Sequence, residues 1–330
     1  MKKTTFTTTV ALGILLGTTN AHALLIDPDG GGGAFNAIDV HALDWNAGSA
    51  LAVPDEGGSF KPDQIAVGDT FTQYAHAELS VFNDASGNAN GTFIGSGEQW
   101  TFVLGFREEV VSVDPTARSA SFSAIGGGTN FFEIWYGDDD NDNLEGTGFN
   151  NGTKILSGTV SSGTSNFDND ETLAPFTGDP GDAQPLDNFG NDDRPGIRSV
   201  TGSGGATINI SVSSFDSAFF TGAISSLELK MINFDTSLID PFNNTNPADC
   251  FTGAAGGGTV NAACNGPNNI SFGMSSGDIN GFNTTNFEFQ QDAISNLKVT
   301  TTTVPEPSSI FLLGTGLAAL GFAGTRKRRR

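Results

Sequence analysis

Residues 207–214 read Thr-Ile-Asn-Ile-Ser-Val-Ser-Ser, a stretch in which apolar and polar side chains alternate. Ile208, Ile210 and Val212 fall on one side of an extended chain, because successive side chains of a β-strand point to opposite faces. The intervening hydroxyl and amide side chains fall on the other side. This period of two predicts a β-strand with one buried and one solvated face.

Similar short runs recur along the chain, and Asn-Gly dipeptides suited to hairpin turns separate several of them. A helical period is absent apart from a weak one over residues 221–230. The predicted strands cover residues 65–82, 100–113, 119–125, 130–136, 153–160, 224–234 and 287–300. Three long loops are predicted at residues 30–34, 166–194 and 241–267. We therefore expect an all-β fold, a single antiparallel β-sandwich or jelly-roll-like domain over residues 24–303.

The composition is acidic and rich in glycine, with a formal net charge of −22 over 330 residues, 44 Gly and 27 Phe. The phenylalanines supply enough apolar area for a packed core, whereas a disordered chain would be poor in aromatic residues. An acidic surface repels nucleic acid and anionic membranes. The charge therefore predicts no nucleic-acid partner.

Residues 1–23 have a basic start, an apolar centre and a small-residue end with Ala21 and Ala23. This layout is typical of a secretory signal peptide, with cleavage by signal peptidase expected after Ala23. A short buried helix is the alternative. The chain is thus expected to be exported.

The other end carries 18 uncharged residues, Ser308–Thr325, which as a helix would rise about 27 Å, close to the thickness of a bilayer core. Pro305 and Pro307 precede this run and favour an extended, accessible backbone. A basic tail follows: Arg326, Lys327, Arg328, Arg329 and Arg330. By the positive-inside rule the tail stays cytoplasmic, so residues 304–330 are expected to hold the chain in the membrane.

Val304, Pro305, Glu306 and Pro307, followed by the apolar run and the basic tail, resemble a PEP-CTERM sorting signal. The resemblance implies recognition by an exosortase, a membrane-bound cysteine peptidase, with cleavage near the triplet. It also implies export across the inner membrane of a Gram-negative-type bacterium, to the cell surface or the extracellular matrix. A plain single-pass anchor is the alternative.

Cys250 and Cys264 are the two thiols of the chain. An exported chain enters an oxidising compartment, where such a pair tends to form a disulfide. A metal site is the alternative, but it would need further ligands such as histidine, and His41 and His76 lie far away in sequence.

The acidic run at residues 137–148 places Asp138, Asp140 and Asp142 at alternating positions, as at the start of a calcium loop. The EF-hand pattern then fails, because Asn143 stands at the glycine position and Phe149 at the bidentate glutamate position. The run predicts either a noncanonical calcium site or an acidic, solvated hairpin loop.

Evidence for catalysis is weak. Gly273–Gly277 matches the Gly-x-Ser-x-Gly elbow, but no histidine follows His76 to complete a triad. His41 and His76 have no partner in the sequence pattern that would make them general bases. No catalytic residue is predicted, and a secreted carbohydrate-active enzyme is the last of the functional alternatives.

Several phrases, including residues 43–53, 143–160 and 283–293, resemble flocculation-associated PEP-CTERM surface proteins. The resemblance implies a noncatalytic surface or matrix protein that associates with extracellular polysaccharide in flocs or biofilm. The alternative is a calcium-dependent, lectin-like module in which aromatic rings stack on sugars. The aromatic candidates are Trp45, Trp100, Trp135, Tyr74 and Tyr136.

Overall fold

The computed structural model describes residues 24–31, 37–55, 65–90, 97–169, 184–193, 198–199, 202–231, 241–248, 250–251, 270–271 and 287–299. All regular structure in these ranges is β, which confirms the predicted class. No helix within them has the length and apolar character needed to cross a membrane.

The fold contains strands of very different lengths. In chain order they are β1 (Leu24–Ile26), β2 (Ile38–Val40), β3 (Ala42–Pro54), β4 (Thr70–Asn83), β5 (Glu98–Asp114), β6 (Ser119–Asp138), β7 (Thr153–Asn169), β8 (Gln184–Pro185), β9 (Arg198–Ser199), β10 (Gly202–Phe215), β11 (Ile224–Met231), β12 (Cys250–Phe251), β13 (Ile270–Ser271) and β14 (Phe287–Val299). Eight of them are long enough to build one continuous sheet, whereas β1–β2, β8–β9 and β12–β13 form separate pairs.

The large sheet is a closed barrel, so the predicted sandwich or jelly roll was wrong. Its strand order is β10-β11-β14-β3-β4-β5-β6-β7, and β7 pairs again with β10. All neighbours are antiparallel. Alternation along a strand predicts which side chains face a core, but it does not say whether that core lies between two sheets or inside one sheet closed on itself.

Several strands differ from the expected ones, and the short strands β8 and β12 lie within predicted loops. The two strands predicted at 119–125 and 130–136 are the single strand β6, which continues through a glycine run with positive φ at Gly127 and Gly128. Residues 166–169 belong to β7 rather than to a loop. Strand β3 was not predicted, because its sequence lacks a clean alternation, and residues 48–52 are buried on both faces.

The barrel interior is filled by two apolar clusters. The main cluster includes the large rings of Trp45, Trp100, Phe102 and Phe132. A smaller group at the other end of β5, here called the end cluster, consists of Ala52, Phe71, Val110, Phe122 and Phe287. The core thus lies inside the barrel, because an eight-stranded barrel has an interior just wide enough for its inward-facing side chains to fill.

The N-terminal segment seals the barrel at the Trp100 end. Leu24 and Ile26 of β1 are buried in the main cluster. The backbone N–H of Asp27 donates to the carbonyl of Phe219 at 2.8 Å, and the indole Nε1 of Trp100 donates to the carbonyl of Pro28 at 2.9 Å. The residues that follow the expected cleavage site are therefore part of the core.

Candidate functional site

Two chain segments lie over the outer face of β3, β4 and β5 and meet at His76. These outer segments are residues 140–151, and residues 241–248 with 250–251. The imidazole ring of His76 stacks on Phe149 of the first at a centroid distance of 4.0 Å and lies 4.8 Å from the ring of Phe251 of the second. His76 thus joins both segments to the barrel wall.

The chemistry of His76 follows from its burial. The side chain is 2% exposed, and its Nε2 has no hydrogen-bond partner among the described residues. Burial penalises the charged form and lowers the pKa of His76 to about 3. The ring is therefore neutral at ordinary pH and packs between two aromatic rings, out of reach of a substrate in solution.

The first outer segment is anchored to β5 by side chains that bond its backbone. The hydroxyl of Thr101 donates to the carbonyl of Phe149 at 2.7 Å, and the amide of Gln99 donates to the carbonyl of Gly148 at 3.4 Å. Both donors project from the outer face of β5, because Trp100 and Phe102 on either side of Thr101 face the interior. The strand therefore positions Phe149 against His76.

The second outer segment is anchored by Gln290 and Ser49. The Oε1 of Gln290 accepts from the backbone N–H groups of Asn243 at 3.0 Å and Asn244 at 3.1 Å. The hydroxyl of Ser49 accepts from the N–H of Ala248 at 3.1 Å. These bonds satisfy backbone N–H groups, of which that of Ala248 is buried, in a segment that has little regular structure of its own.

Gln290→Leu is expected to release the second outer segment. Leucine has similar volume but cannot accept from the N–H groups of Asn243 and Asn244, and the net loss of one such hydrogen bond costs about 0.5–1.5 kcal/mol. Hydrogen exchange of these two amides should accelerate. Gln99→Leu is the matched control, because it removes the equivalent anchor of the first segment and should leave Asn243 and Asn244 protected. Equal protection in Gln290→Leu and wild type would contradict the assigned anchor.

The predicted calcium residues lie on one exposed hairpin after β6. The carboxylate of Asp142 accepts from the backbone N–H of Leu144 at 2.8 Å and of Glu145 at 3.0 Å. Asp140 accepts from the side-chain amide of Asn151, and Asp138 is the last residue of β6. Within the described ranges, no group of three or more His, Cys, Asp or Glu side chains is arranged to hold a metal ion. The calcium site stays a prediction.

The candidate sugar-stacking residues form two groups, three buried tryptophans and two partly buried tyrosines. Trp45 and Trp100 are 1% and 2% exposed in the barrel interior, so they are core residues and offer no face to a ligand. Trp135 is also buried, and its Nε1 donates to Glu133 at 3.2 Å. Tyr74 and Tyr136 are partly buried against apolar clusters. The structure therefore contradicts the stacking role for Trp45 and Trp100.

The remaining predicted site residues fall at or beyond the limits of the described structure. Cys250 begins β12, whereas Cys264 lies outside the described residues, so the disulfide stays a prediction. The Gly-x-Ser-x-Gly match and both ends of the chain also lie outside the described residues. The positions concerned are Ala21, Ala23, residues 273–277, Val304, Pro305, Glu306, Pro307 and residues 326–330.

Sequence reasoning missed Glu108, a buried carboxyl inside the barrel. A signal for it was present, because β5 places Trp100, Phe102, Leu104, Phe106, Glu108 and Val110 at alternating positions. Every member of this series other than Glu108 is apolar. An acid at a position that alternation assigns to the core marks either an interrupted strand or a buried ionisable group.

Comparison with known proteins identifies the C-terminal segment. Residues 303–329 match the family model described as the PEP-CTERM protein-sorting motif. No curated protein matches the chain, and no solved structure matches it.

The motif defines a class: exported, surface-directed proteins of Gram-negative-type bacteria that an exosortase processes. The chain carries this PEP-CTERM motif, as the Pro305-Glu306-Pro307 triplet predicted. The resemblance to flocculation-associated members of the class stays a prediction.

Proposed function

We propose that the protein is a noncatalytic component of the cell surface or extracellular matrix that associates with exopolysaccharide. The sorting motif at residues 303–329 carries this proposal, because it directs an exported chain to the surface. The rest of the chain must then work outside the cell. An acidic barrel with a packed aromatic core suits a scaffold role in that location.

The outer face of β7 and β10 supports an association with a polyhydroxyl polymer. Ser162, Thr164 and Thr207 are exposed and uncharged there, and Thr164 pairs with Thr207 across the two strands. The side-chain amide of Asn209 donates to the hydroxyl of Ser162 at 3.1 Å. Each hydroxyl has one donor and two acceptor positions, so such a face retains hydrogen-bonding capacity toward a glycan.

Deleting residues 304–330 is expected to remove the protein from the surface and matrix fractions without unfolding the barrel. The physical reason is that the deleted segment holds the chain in the membrane for processing, whereas all described core residues lie before residue 300. Fractionation of cells with immunodetection measures the first effect, and circular dichroism of the recovered protein measures the second.

The matched control is Pro305→Ala with Pro307→Ala, which keeps the apolar run and the basic tail. An exosortase substrate should be mislocalised by this change, whereas a plain single-pass anchor should not. Undiminished surface display of the deletion variant would contradict the sorting role. Failure of the exported wild-type protein to co-precipitate with purified matrix polysaccharide would contradict the matrix role separately.

A further inference from the structure

Glu108 occupies an interior position of the barrel where an ionised carboxylate is poorly accommodated. It follows Phe106 and precedes Val110 on the inward face of β5, and its side chain is 1% exposed. Phe71 stands directly opposite on β4, and Ala124 stands opposite on β6. Glu108 therefore lies at the boundary between the main cluster and the end cluster.

The described residues of the elements around Glu108 bring no compensating charge. β4 presents Phe71 and Gln73, β6 presents Phe122 and Ala124, and β7 presents Ser165.

On the far side, β3 and β14 contribute Ala52 and Phe287 to the end cluster. The nearest charges on β5 itself are Arg107 and Glu109, which alternation places on the outer face, where Arg107 pairs with Asp55 at 2.7 Å. Among the described residues of β3, β4, β5, β6, β7 and β14 named above, Glu108 is thus the one titratable group that faces the interior beside the end cluster.

Glu108 has one hydrogen bond. The hydroxyl of Ser165 on β7 donates to Oε1 at 2.7 Å, and Oε2 has no partner among the described residues. A buried carboxylate needs several donors to offset the loss of water, so a single hydroxyl does not suffice. The neutral acid is the form that the site favours, and burial accordingly raises the pKa of Glu108 to about 7 against the opposing effect of Ser165.

We propose that Glu108 is a proton-dependent latch of the barrel. In its neutral form it allows the end cluster to pack and links β5 to β7 through Ser165. In its ionised form it draws water into this end of the barrel and loosens the end cluster. In an exported protein, the pH outside the cell sets the protonation state of Glu108. The proposed latch does not rest on the proposed matrix function.

The sign of the effect follows from the raised pKa. The unfolded chain loses this proton near pH 4.5 and the folded protein near pH 7. The folded state therefore binds more protons between these values, and its stability falls as the pH rises through that window. The difference corresponds to about a 300-fold change in the unfolding equilibrium constant.

Hydrogen exchange of the full-length protein at pH 6 and pH 9 tests the latch. Amides of Phe71 and Phe122 should lose protection at pH 9 relative to those of Phe102 and Phe132, which correct for the intrinsic pH dependence of exchange. Glu108→Gln should abolish this relative loss, because glutamine is neutral at both pH values. Glu109→Gln, one residue away on the outer face, is the matched control and should behave as wild type.

Infrared difference spectra between wild type and Glu108→Gln give a second readout, because the subtraction removes the bands of other carboxyls such as Asp292, whose pKa burial raises to about 6. The carbonyl stretch of protonated Glu108 should be present in this difference at pH 6 and absent at pH 9, and Ser165→Ala should move its midpoint to higher pH. Unchanged relative exchange between pH 6 and pH 9 in wild type would overturn the proposal. A protonated-carboxyl band that is already absent at pH 6, or an equal loss of protection in Glu108→Gln, would overturn it too.

Discussion

His76→Phe is expected to keep the protein folded under acidic conditions in which the wild type unfolds. The variant replaces a buried ring that can be protonated with one that cannot, and the aromatic neighbours Phe149 and Phe251 remain. Its gain in free energy of unfolding relative to wild type should grow to about 5 kcal/mol as the pH falls from about 6.5 to about 3.

The direction of this effect follows from the depressed pKa of His76. The folded protein takes up the proton only near pH 3, whereas the unfolded chain takes it up near pH 6.5. The unfolded state therefore binds more protons in between, and the wild type loses stability as the pH falls through that window. The underlying cause is a charge that would be buried between two aromatic rings without a hydrogen-bond partner for Nε2 among the described residues.

Urea unfolding at a series of pH values measures the difference between the two proteins. At pH 7.5 the larger phenylalanine should make the variant equal to wild type or slightly less stable, because overpacking strains a close-packed site. His41→Phe changes the other described histidine, which is partly exposed, and should run parallel to wild type. Parallel curves for His76→Phe and wild type below pH 6 would refute the assignment.

The pH dependence of His76 opposes that of Glu108. Protonation of His76 destabilises the folded state in acid, whereas ionisation of Glu108 destabilises it as the pH rises toward 7. Between about pH 4.5 and 6.5 the two contributions have opposite slopes of similar size. Burial also raises the pKa of Asp292, to about 6, which adds to the slope of Glu108, so each contribution is measured as the difference between wild type and the single variant.

Trp100→Ala is expected to cost about 3–5 kcal/mol of stability and to detach the N-terminal segment from the barrel. The indole is packed edge-on against Phe82, Phe219 and Phe220 at centroid distances of 5.2, 5.8 and 5.6 Å. Its Nε1 also bonds the carbonyl of Pro28. Alanine leaves both a cavity and an unsatisfied carbonyl at the end of the barrel where β1 docks.

Urea unfolding measures the loss of stability, and exchange of the Asp27 amide, which bonds Phe219, measures the detachment. Trp100→Phe separates the two contributions, since it keeps most of the ring and removes only the bond to Pro28, at a cost of about 1–3 kcal/mol. Trp135→Ala, on the outer face, should leave the Asp27 amide protected. A loss below about 1 kcal/mol in Trp100→Ala would be inconsistent with the packing described.

The β class was predictable because alternation is local. Residues 207–214 lie within β10, and Ile208 and Ile210 face the core as the period of two requires. The closure into a barrel was not predictable, because it depends on β7 pairing with β10 and on β14 pairing with β3, which lies near the other end of the chain. Strand β3 was not predicted for a similar reason, because segments distant in sequence bury residues on its outer face.

The candidate site followed the same division. The sorting motif could be predicted from the sequence, because its prolines, apolar run and basic residues act through their order along the chain. The match at residues 303–329 confirmed it. The role of His76 could not be predicted from the sequence, since Phe149 and Phe251 contact it from distant parts of the chain. The buried positions of Trp45 and Trp100 likewise became clear only in the folded barrel.

By itself, the sequence determined the β class, the acidic surface and the sorting motif, because each depends on residue type and short-range order. The tertiary structure alone decided that the sheet closes, that His76 joins two outer segments and that Glu108 is enclosed among apolar side chains. These features arise from contacts between residues far apart in the chain. The resulting burial changes the chemistry of His76 and Glu108, whose residue types and local sequence do not reveal their surroundings.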